Sequence, residues 1–485
     1  MTSPIEQKLA DALAAHHRAP DDVVPLRNIC DALVRLHRDE EVLPWVEKAL
    51  MLNPRDRELV VTRAQTLNLL GRHFEAVATW RHHATLGWNT AFYELHLGQS
   101  LVMAGELRAG IPLLQQAQLG GFAKEDRLGY MAEHLLGDAL LKAGNPEGFA
   151  PWLARNDYDT GSYCPEGIVS WSGDEDLRDK RILVTHQMGY GDQFLLFACV
   201  QRWIAAGASV LITCDPEIYA LMQASLPEGV VVSAARPLYA RMPLPPTLQA
   251  SVRAFAPDLH VTLLHLPVLG ARSASRPGPY FEPYLRAPQN RREAAALWAA
   301  GLRERYPGRA LVGLYWDCTN RYFPGAGSKL RLSGERRSLP LHVVNELAGN
   351  PQVAAGTHFI NLQPPVSDDL TGVPTLNIGR YRPGVEDFAD TAACIEQLDA
   401  VVAVDSSVAN LGAMMGKPTC VLVNTSTDWR WGREGTHTPW LRDVEVLRQT
   451  IMGNWSTVVD DAASWLIDGG WRAGVGAIVE SERGS

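Results

Sequence analysis

The feature that most constrains the fold is a change in hydrophobic periodicity near residue 155. Up to about Ala154, apolar residues recur at helical spacing and clusters of β-branched residues are sparse. From Arg181 onward, short apolar runs such as Ile182 to Thr185 and Val401 to Val404 alternate with helical segments. Such alternation predicts parallel sheets covered by helices. The chain is therefore predicted to be α + α/β, with a polar, turn-rich linker at residues 155–180.

The helical part, residues 1–154, also repeats. His37, Gly71 and Gly105 are spaced 34 residues apart, each just after an apolar helix, whereas Gly144 follows Gly105 by 39 residues. A helix–turn–helix period of 34 residues is typical of tetratricopeptide repeats, which stack into a superhelix with a concave binding face. We predict three to four degenerate TPR-like repeats; an irregular helical bundle is the alternative.

The α/β part contains two separate starts of a strand, a polar or glycine-rich turn and a helix. About 300 residues are more than one ordinary core holds, so two Rossmann-like halves are predicted. The first half is placed at residues 181–288 and the second at residues 289–485.

Composition excludes several classes of protein. The chain has 485 residues, with 46% apolar and 20% charged residues, as in a globular protein. A net charge of −9 and a pI of about 5.9 argue against a general nucleic-acid binder. No apolar run is long enough to predict a membrane span, and the N-terminus lacks a basic-then-apolar signal peptide. None of the seven cysteines forms a CxxC motif, so we expect reduced thiols in a cytoplasmic protein.

The most informative motif begins where an apolar run, Val401 to Val404, reaches Asp405. Ser406 and Ser407 follow, and the side-chain oxygens of all three residues can cap the start of a helix. The free N–H groups and the dipole of such a helix make an anion site at the carboxyl end of a strand. In an open α/β sheet this is where a nucleotide diphosphate binds.

A second motif opens the first half. An apolar strand runs into a turn with Gly189 and Gly191, and Asp192 lies at the start of the helix that follows. Two glycines allow a ligand to approach the backbone closely. The third glycine of a dinucleotide fingerprint is missing, and Asp192 as a simple helix cap is the alternative.

The second half opens with a strand that ends near Trp316. A basic loop follows, with Arg336 and Arg337 near its end, and is placed to hold phosphates; a solvated charged loop is the alternative. Further on, Trp429 and Trp431 are candidates to stack on a base or a sugar, or to pack in the interior.

These motifs, in this order, resemble bacterial tetratricopeptide-repeat glycosyltransferases. They are Gly-x-Gly-Asp-Gln, Val-Gly-Leu-x-Trp, Arg-Ser-Leu-Pro, Phe-Ala-Asp-Thr-Ala, Val-Asp-Ser-Ser-Val-Ala and Asp-Trp-Arg-Trp, between about Trp171 and Leu466. The catalytic region of that family is similar to heptosyltransferases of lipopolysaccharide synthesis, which have the GT-B fold. The layout is also similar to protein O-GlcNAc transferases and flagellin glycosyltransferases.

The resemblance implies roles for particular residues. It makes Asp192 the general base, Arg336 or Arg337 a contact of the nucleotide diphosphate, and Asp405 part of the grip on the donor. The other residues that it implies for donor binding are Gly189, Gly191, Gln193, Trp316, Ser406, Ser407, Val408 and Asn410. The family usually has a histidine where this chain has Asn410, which can donate a hydrogen bond through its amide but carries no charge.

The resemblance implies a glycosyltransferase that needs no metal or other cofactor and inverts the sugar. Its partners would be a nucleotide-sugar donor and a protein acceptor, such as flagellin or an adhesin, held by the repeats. The alternatives are transfer to a saccharide or lipid-linked acceptor, and a non-catalytic scaffold with a degenerate transferase fold. The sequence leaves the donor open between ADP-heptose and UDP-GlcNAc, and it leaves open whether the chain forms a homo-oligomer.

Overall fold

The computed structural model describes residues 3–120, 122, 126–154, 163–171, 176–239, 242–271, 281–318, 328–363, 387–469 and 471–472. Of the predicted linker, residues 155–162 and 172–175 lie outside these ranges. The helices before residue 155 are α1 (Pro4–Arg18), α2 (Val23–Arg35), α3 (Asp39–Leu52), α4 (Arg57–Leu69), α5 (His73–His82), α6 (Thr90–Met103), α7 (Leu107–Leu119), α8 (Arg127–Lys142) and α9 (Phe149–Trp152), with a short 3₁₀ turn at Pro146–Gly148.

The 34-residue period marks the corners of successive helix pairs. His37, Gly71, Gly105 and Gly144 all have positive φ, between 56° and 89°. They follow the first helices of the pairs α2–α3, α4–α5, α6–α7 and α8–α9. At each corner the next backbone N–H donates to a carbonyl five residues back, as in Arg72 to Leu67 at 2.8 Å. This is the bond of a Schellman motif, which satisfies the last carbonyls of a helix. Each repeat therefore ends its first helix in the same way.

The first α/β unit contains a five-stranded parallel sheet in the order β1-β5-β2-β3-β4. Its strands are β1 (Val169–Ser170), β2 (Arg181–Thr185), β3 (Ser209–Cys214), β4 (Val230–Ala234) and β5 (Leu259–Thr262). Its helices are α10 (Tyr190–Leu196), α11 (Val200–Ala205), α12 (Tyr219–Ser225), α13 (Pro246–Phe255) and α14 (Leu266–Ala271), with 3₁₀ turns at Phe197–Cys199, Pro216–Ile218 and Leu263–His265. The short edge strand β1 lies within the predicted linker.

The second unit has another five-stranded parallel sheet, in the order β10-β9-β8-β6-β7. Its strands are β6 (Ala310–Tyr315), β7 (Thr357–Asn361), β8 (Ala400–Val404), β9 (Thr419–Val423) and β10 (Val444–Arg448). Its helices are α15 (Gln289–Arg305), α16 (Ser328–Arg337), α17 (Leu341–Gly349), α18 (Pro351–Gly356), α19 (Phe388–Gln397), α20 (Ser407–Met414) and α21 (Ser456–Asp468), with a 3₁₀ turn at Trp429–Trp431. The two sheets and the repeats confirm the predicted fold class, TPR-like helices followed by a pair of Rossmann-like units.

The corners of the repeats lie against the second unit and form what we call the corner seam. A Cβ added at Gly71 would be 2.7 Å from Met452 Cβ, and one added at Gly144 would be 2.8 Å from Pro439 Cβ. Near Gly105, Arg433 Nη2 donates to the carbonyl of Met103 at 2.6 Å. The helical repeats therefore contact the second unit along one edge, the edge that carries their corners.

An aromatic cluster closes one end of the corner seam. Phe149 of α9 packs edge-to-face on Trp429 and Trp440, with ring centroids 5.3 Å away in both cases. Trp440 Nε1 donates to the carbonyl of Leu141 at 3.1 Å. Aromatic side chains bury large apolar areas, so this cluster fixes the last repeat against the second unit. No helix in the described ranges is long and apolar enough to cross a membrane, and all seven cysteines are free thiols.

Candidate active site

The second sheet has its topological switch point between β6 and β8. The chain passes from β6 to β7 on one side and continues to β8 on the other, which leaves a crevice at the carboxyl ends of these strands. Asp405 follows β8 at this point, and Cys318 follows β6 and donates through Sγ to the Asp405 carbonyl at 3.2 Å. The Asp405 motif therefore lies where an open α/β sheet binds its ligands.

Asp405 is held by two side chains from other parts of the chain. Trp431 Nε1 donates to Asp405 Oδ1 at 2.8 Å, and Arg337 Nη1 lies 3.7 Å from Oδ2. Burial disfavours the charge of Arg337, but the neighbouring Asp405 and Cys318 outweigh it, so its pKa is raised. The guanidinium therefore stays charged at the mouth of the crevice.

Ser406 is the N-cap of α20, as the sequence predicts. Its Oγ accepts a hydrogen bond from Ala409 N at 3.2 Å. Ser407 is the first residue of the helix, and Val408 is buried in the core. Because Ser406 caps only one of the free N–H groups, others at this helix start remain available to an anion.

Asn410 lies one turn into α20 and is only 2% exposed. Its Nδ2 donates to the Ser406 carbonyl at 2.8 Å, within the helix. Its Oδ1 is buried and has no hydrogen-bond partner among the described residues. A buried amide oxygen without a donor is costly, so Asn410 presents an open acceptor at this end of the crevice.

Asp192 is both a helix cap and a residue facing the second unit. Its Oδ2 accepts from the Gly189 backbone N–H at 3.2 Å, as the cap alternative predicts. Its Oδ1 accepts from Arg430 Nη2, across the gap between the two units. Burial raises the pKa of Asp192, and the charge of Arg430 opposes this without cancelling it.

Arg430 is the site residue that sequence reasoning missed. It lies in the Asp-Trp-Arg-Trp motif, where only the tryptophans were candidates. Its side chain is 11% exposed and pairs with Asp192 and with Asp428, whose Oδ1 lies 3.4 Å from Nη1. These carboxylates, together with Asp405, raise its pKa despite the opposing effect of burial. The Asp-Trp-Arg-Trp motif marked this segment as a candidate. The role of Arg430 could not be inferred from it, because its partner Asp192 lies 238 residues away in the sequence.

Gly191 brings the two units into contact. A Cβ at this position would lie 3.0 Å from Asn410 Nδ2 and 3.5 Å from Ser407 Cα. The start of α10 can therefore rest against the start of α20 because Gly191 has no side chain. This contact places Asp192 beside the Asp405 motif.

Gln193 and Trp316 are buried among other side chains and do not face the crevice. Gln193 is fully buried and forms a reciprocal pair with Asp215, donating from Nε2 to Oδ2 at 2.8 Å and accepting from the backbone N–H. Trp316 is 4% exposed and packs in the core of the second sheet. The structure brings neither side chain into the crevice.

Arg336 and Arg337 point to different partners. Arg337 faces Asp405, whereas Arg336 Nη2 lies 3.3 Å from Asp39 Oδ2 at the start of α3. Arg336 therefore belongs to the corner seam. Of the two arginines implied as diphosphate contacts, the geometry favours Arg337. Residues 319–327 of the predicted basic loop lie outside the described residues.

The two tryptophans are packing residues. Trp429 is 1% exposed in the aromatic cluster, and Trp431 is completely buried. Their interior position supports packing rather than stacking on a ligand. Among the described residues, no group of three or more His, Cys, Asp or Glu side chains is arranged to hold a metal ion.

No family model matches the chain. It is 24% identical over 495 residues to the protein FlbA of Caulobacter vibrioides, covering 95% of this chain and 76% of that protein.

Among solved structures, it is similar to a glycosyl transferase of family 9 from Veillonella parvula, with 14% identity and a TM-score of 0.45 over 61% of this chain and all of the other. It is similar to the E. coli ADP-heptose heptosyltransferase II, with 14% identity and a TM-score of 0.38 over 60% and 99% of the two chains. The repeats are similar to YrrB, described as a TPR protein with an unusual peptide-binding site, at 20% identity and a TM-score of 0.25 over 30% and 74%.

Proposed function

We propose that this protein is a glycosyltransferase that moves a sugar from a nucleotide-sugar donor to a hydroxyl group of a protein acceptor. The observation that carries the proposal is the pairing of Asp192 with Arg430 beside the start of α20, where Arg337 pairs with Asp405. Such a site combines a carboxylate base with fixed positive charge for a leaving diphosphate. The names of the structural neighbours are consistent with this chemistry.

In this mechanism Asp192 takes the proton of the acceptor hydroxyl. The acceptor oxygen forms a bond to the anomeric carbon, and the bond from that carbon to the diphosphate oxygen breaks. A raised pKa makes Asp192 a better proton acceptor than an ordinary carboxylate, provided that it remains ionised. Displacement from the opposite face of the sugar would invert its configuration.

The leaving diphosphate would be stabilised by the free N–H groups of α20 and by Arg337 and Arg430. In this structure Arg430 is paired with Asp192, so that carboxylate is not free to accept a proton. A diphosphate with its greater charge would draw Arg430 away from Asp192. Donor binding would in this way free the base when the leaving group is in place. Backbone dipoles and arginines supply the positive charge in this scheme, so it needs no metal.

Mass spectrometry of co-expressed candidate acceptor proteins tests the activity. The wild type is compared with Asp192→Asn, which removes the base while keeping size and hydrogen-bonding ability. Asp22→Asn is the matched control, since Asp22 caps α2 through a 3.0 Å bond and lies in the first repeat. We expect the mass of one hexose or heptose on the acceptor with the wild type and the control, and none with Asp192→Asn.

A thermal-shift screen against nucleotide sugars separates the alternatives. Stabilisation of both the wild type and Asp192→Asn by one nucleotide sugar shows an intact donor site. If the donor is hydrolysed, or its sugar is transferred to a free saccharide, while no acceptor protein is modified, the interpretation with a saccharide acceptor replaces the one with a protein acceptor. Absence of any stabilisation would instead favour a non-catalytic scaffold.

A further inference from the structure

The corner seam encloses a cavity that the proposed reaction does not use. It has a volume of about 190 Å³ and lies between the last repeats and the loop after β9. Its wall includes Met103, Asp138 and Lys142 from the repeats and Arg433 from the second unit. Water occupies about 30 Å³ per molecule in the liquid, so the cavity can hold a small polyatomic ion with some water.

The positive charge at this cavity lacks a counter-ion. Lys142 Nζ is paired with Asp138 Oδ2 at 2.6 Å, which neutralises both groups. Arg433 donates only to a backbone carbonyl, that of Met103. Among the described residues it forms no ion pair. Arg448 is not part of the cavity wall, but it lies near enough to Arg433 for that charge to lower its pKa. Arg448 donates to the Trp431 carbonyl and likewise forms no ion pair among the described residues.

The two arginines keep hydrogen-bond donors that have no acceptor. Arg433 Nε and Arg448 Nε and Nη1 are buried without a hydrogen-bond partner among the described residues. Buried donors are normally paired, and the net cost rises when the donor is charged. A group of unpaired, positively charged donors is well satisfied by an anion that offers several acceptor oxygens.

The lowered pKa values of the basic groups in this region agree with the absence of a counter-ion in the described part of the chain. Burial, followed by the charge of Arg433, lowers the pKa of Arg448 to about 10, and burial lowers the pKa of Arg433. The pKa of His73 falls to about 4, first through burial and then through repulsion by Arg433 and Lys142. His73 is therefore neutral at pH 7 and leaves the two arginines as the uncompensated charges.

We propose that the corner seam binds a small oxyanion, with inorganic phosphate or a small dicarboxylate as the chemical class, through Arg433 and Arg448. Both arginines extend from the second unit, and Arg433 also holds the end of α6. The bound anion would thus join the repeats to the catalytic region, and its site is separate from the crevice at Asp405.

The test is thermal unfolding in increasing phosphate, with chloride added to keep ionic strength constant. Arg448→Met removes the charge but keeps an apolar stem, and Arg442→Met is the control because Arg442 is an exposed arginine paired with Glu282. We expect phosphate to raise the Tm of the wild type and the control, and not that of Arg448→Met. Phosphate affinity measured by calorimetry should fall about tenfold or more in Arg448→Met.

Without phosphate, Arg448→Met should unfold at the same temperature as the wild type or higher, because an uncompensated buried charge has been removed. If this variant does not fold, Arg448→Gln, which still donates to a carbonyl, replaces it. A parallel titration with malonate tells a carboxylate ligand from a phosphate. Arg337→Met shows which site binds phosphate. If phosphate raises the Tm of Arg448→Met but not that of Arg337→Met, it binds at the crevice and the proposal is overturned. Equal shifts in phosphate and chloride would also overturn it.

Discussion

At the scale of single residues, the proposed mechanism makes the pairing of Asp192 with Arg430 a control on when the base is available. Burial raises the pKa of Asp192, and Arg430 keeps it lower than burial alone would. The base works only when ionised, so its activity should be lost as pH falls through this pKa. Removing Arg430 removes an influence that lowers the pKa and therefore moves the loss to higher pH.

We therefore expect Arg430→Met to shift the acidic limb of the pH dependence of kcat/KM toward higher pH. The value of kcat/KM on the plateau should also fall, by about tenfold or more, because the variant lacks one of the cations that stabilise the leaving diphosphate. The measurement is a pH profile of transfer for wild type and variant. An acidic limb that stays in place would show that Arg430 does not act on Asp192.

Local patterns predicted some of these residues and not others. Ser406 and Asp192 could be found because capping depends on a few neighbouring residues. Arg430 could not, because its role depends on a partner in the other unit. Gln193 and Trp316 carry motif positions, but Gln193 is hydrogen-bonded to Asp215 and Trp316 packs in the core. Distinguishing these roles from ligand binding requires knowing what surrounds each side chain.

At the scale of elements, close helix contacts depend on small residues. Gly137 in α8 packs against the backbone of α9, and a Cβ there would lie 2.2 Å from Trp152 N. Backbone atoms cannot move aside as a flexible side chain can. Gly301 in α15 offers a contrast, since nothing lies within 4 Å of its added Cβ.

Alanine at these two glycines should have opposite effects. Gly137→Ala should lower the free energy of unfolding by about 3 kcal/mol through overpacking. Gly301→Ala should raise it by roughly 0.5–1 kcal/mol, because alanine is the better helix former. Chemical denaturation of both variants checks this, and similar effects at the two positions would contradict the packing argument.

Most elements follow from the sequence, and the exceptions have a physical cause. The corner positions at His37, Gly71 and Gly105 were visible as a period because each first helix ends in the same way. The strand β10 (Val444–Arg448) was not anticipated, since Glu445 interrupts its apolar residues and leaves a run of only two before Arg448, at the edge of the sheet. Strand β1 has two residues and no pattern to detect.

At the scale of the whole molecule, the repeats and the two α/β units should unfold together. The aromatic cluster buries Phe149 between Trp429 and Trp440, and Arg336 pairs with Asp39 at the other end of the corner seam. We expect a single unfolding transition, with coincident curves from tryptophan fluorescence and far-ultraviolet circular dichroism. Two separated transitions would show that the units are independent.

Removal of residues 1–154 should then leave the two α/β units unstable. The truncation exposes Trp429 and Trp440, which are at most 2% exposed in the full chain. Contiguous exposed apolar surface promotes aggregation. We expect the fragment to be recovered mainly as aggregates by size-exclusion chromatography, whereas deletion of residues 1–18, which form only α1 and its cap, should leave the chain monodisperse.

The corner seam also limits how this architecture can change during evolution. Three successive corners, at Gly71, Gly105 and Gly144, each contact a different part of the second unit. Duplication of a repeat between them would displace every later corner by one repeat and break the contacts of those corners with the second unit. A repeat added ahead of α2 would leave them intact. Lineages of this protein can therefore lengthen their helical array at its amino end, and a longer reach toward partners would be gained only in that direction.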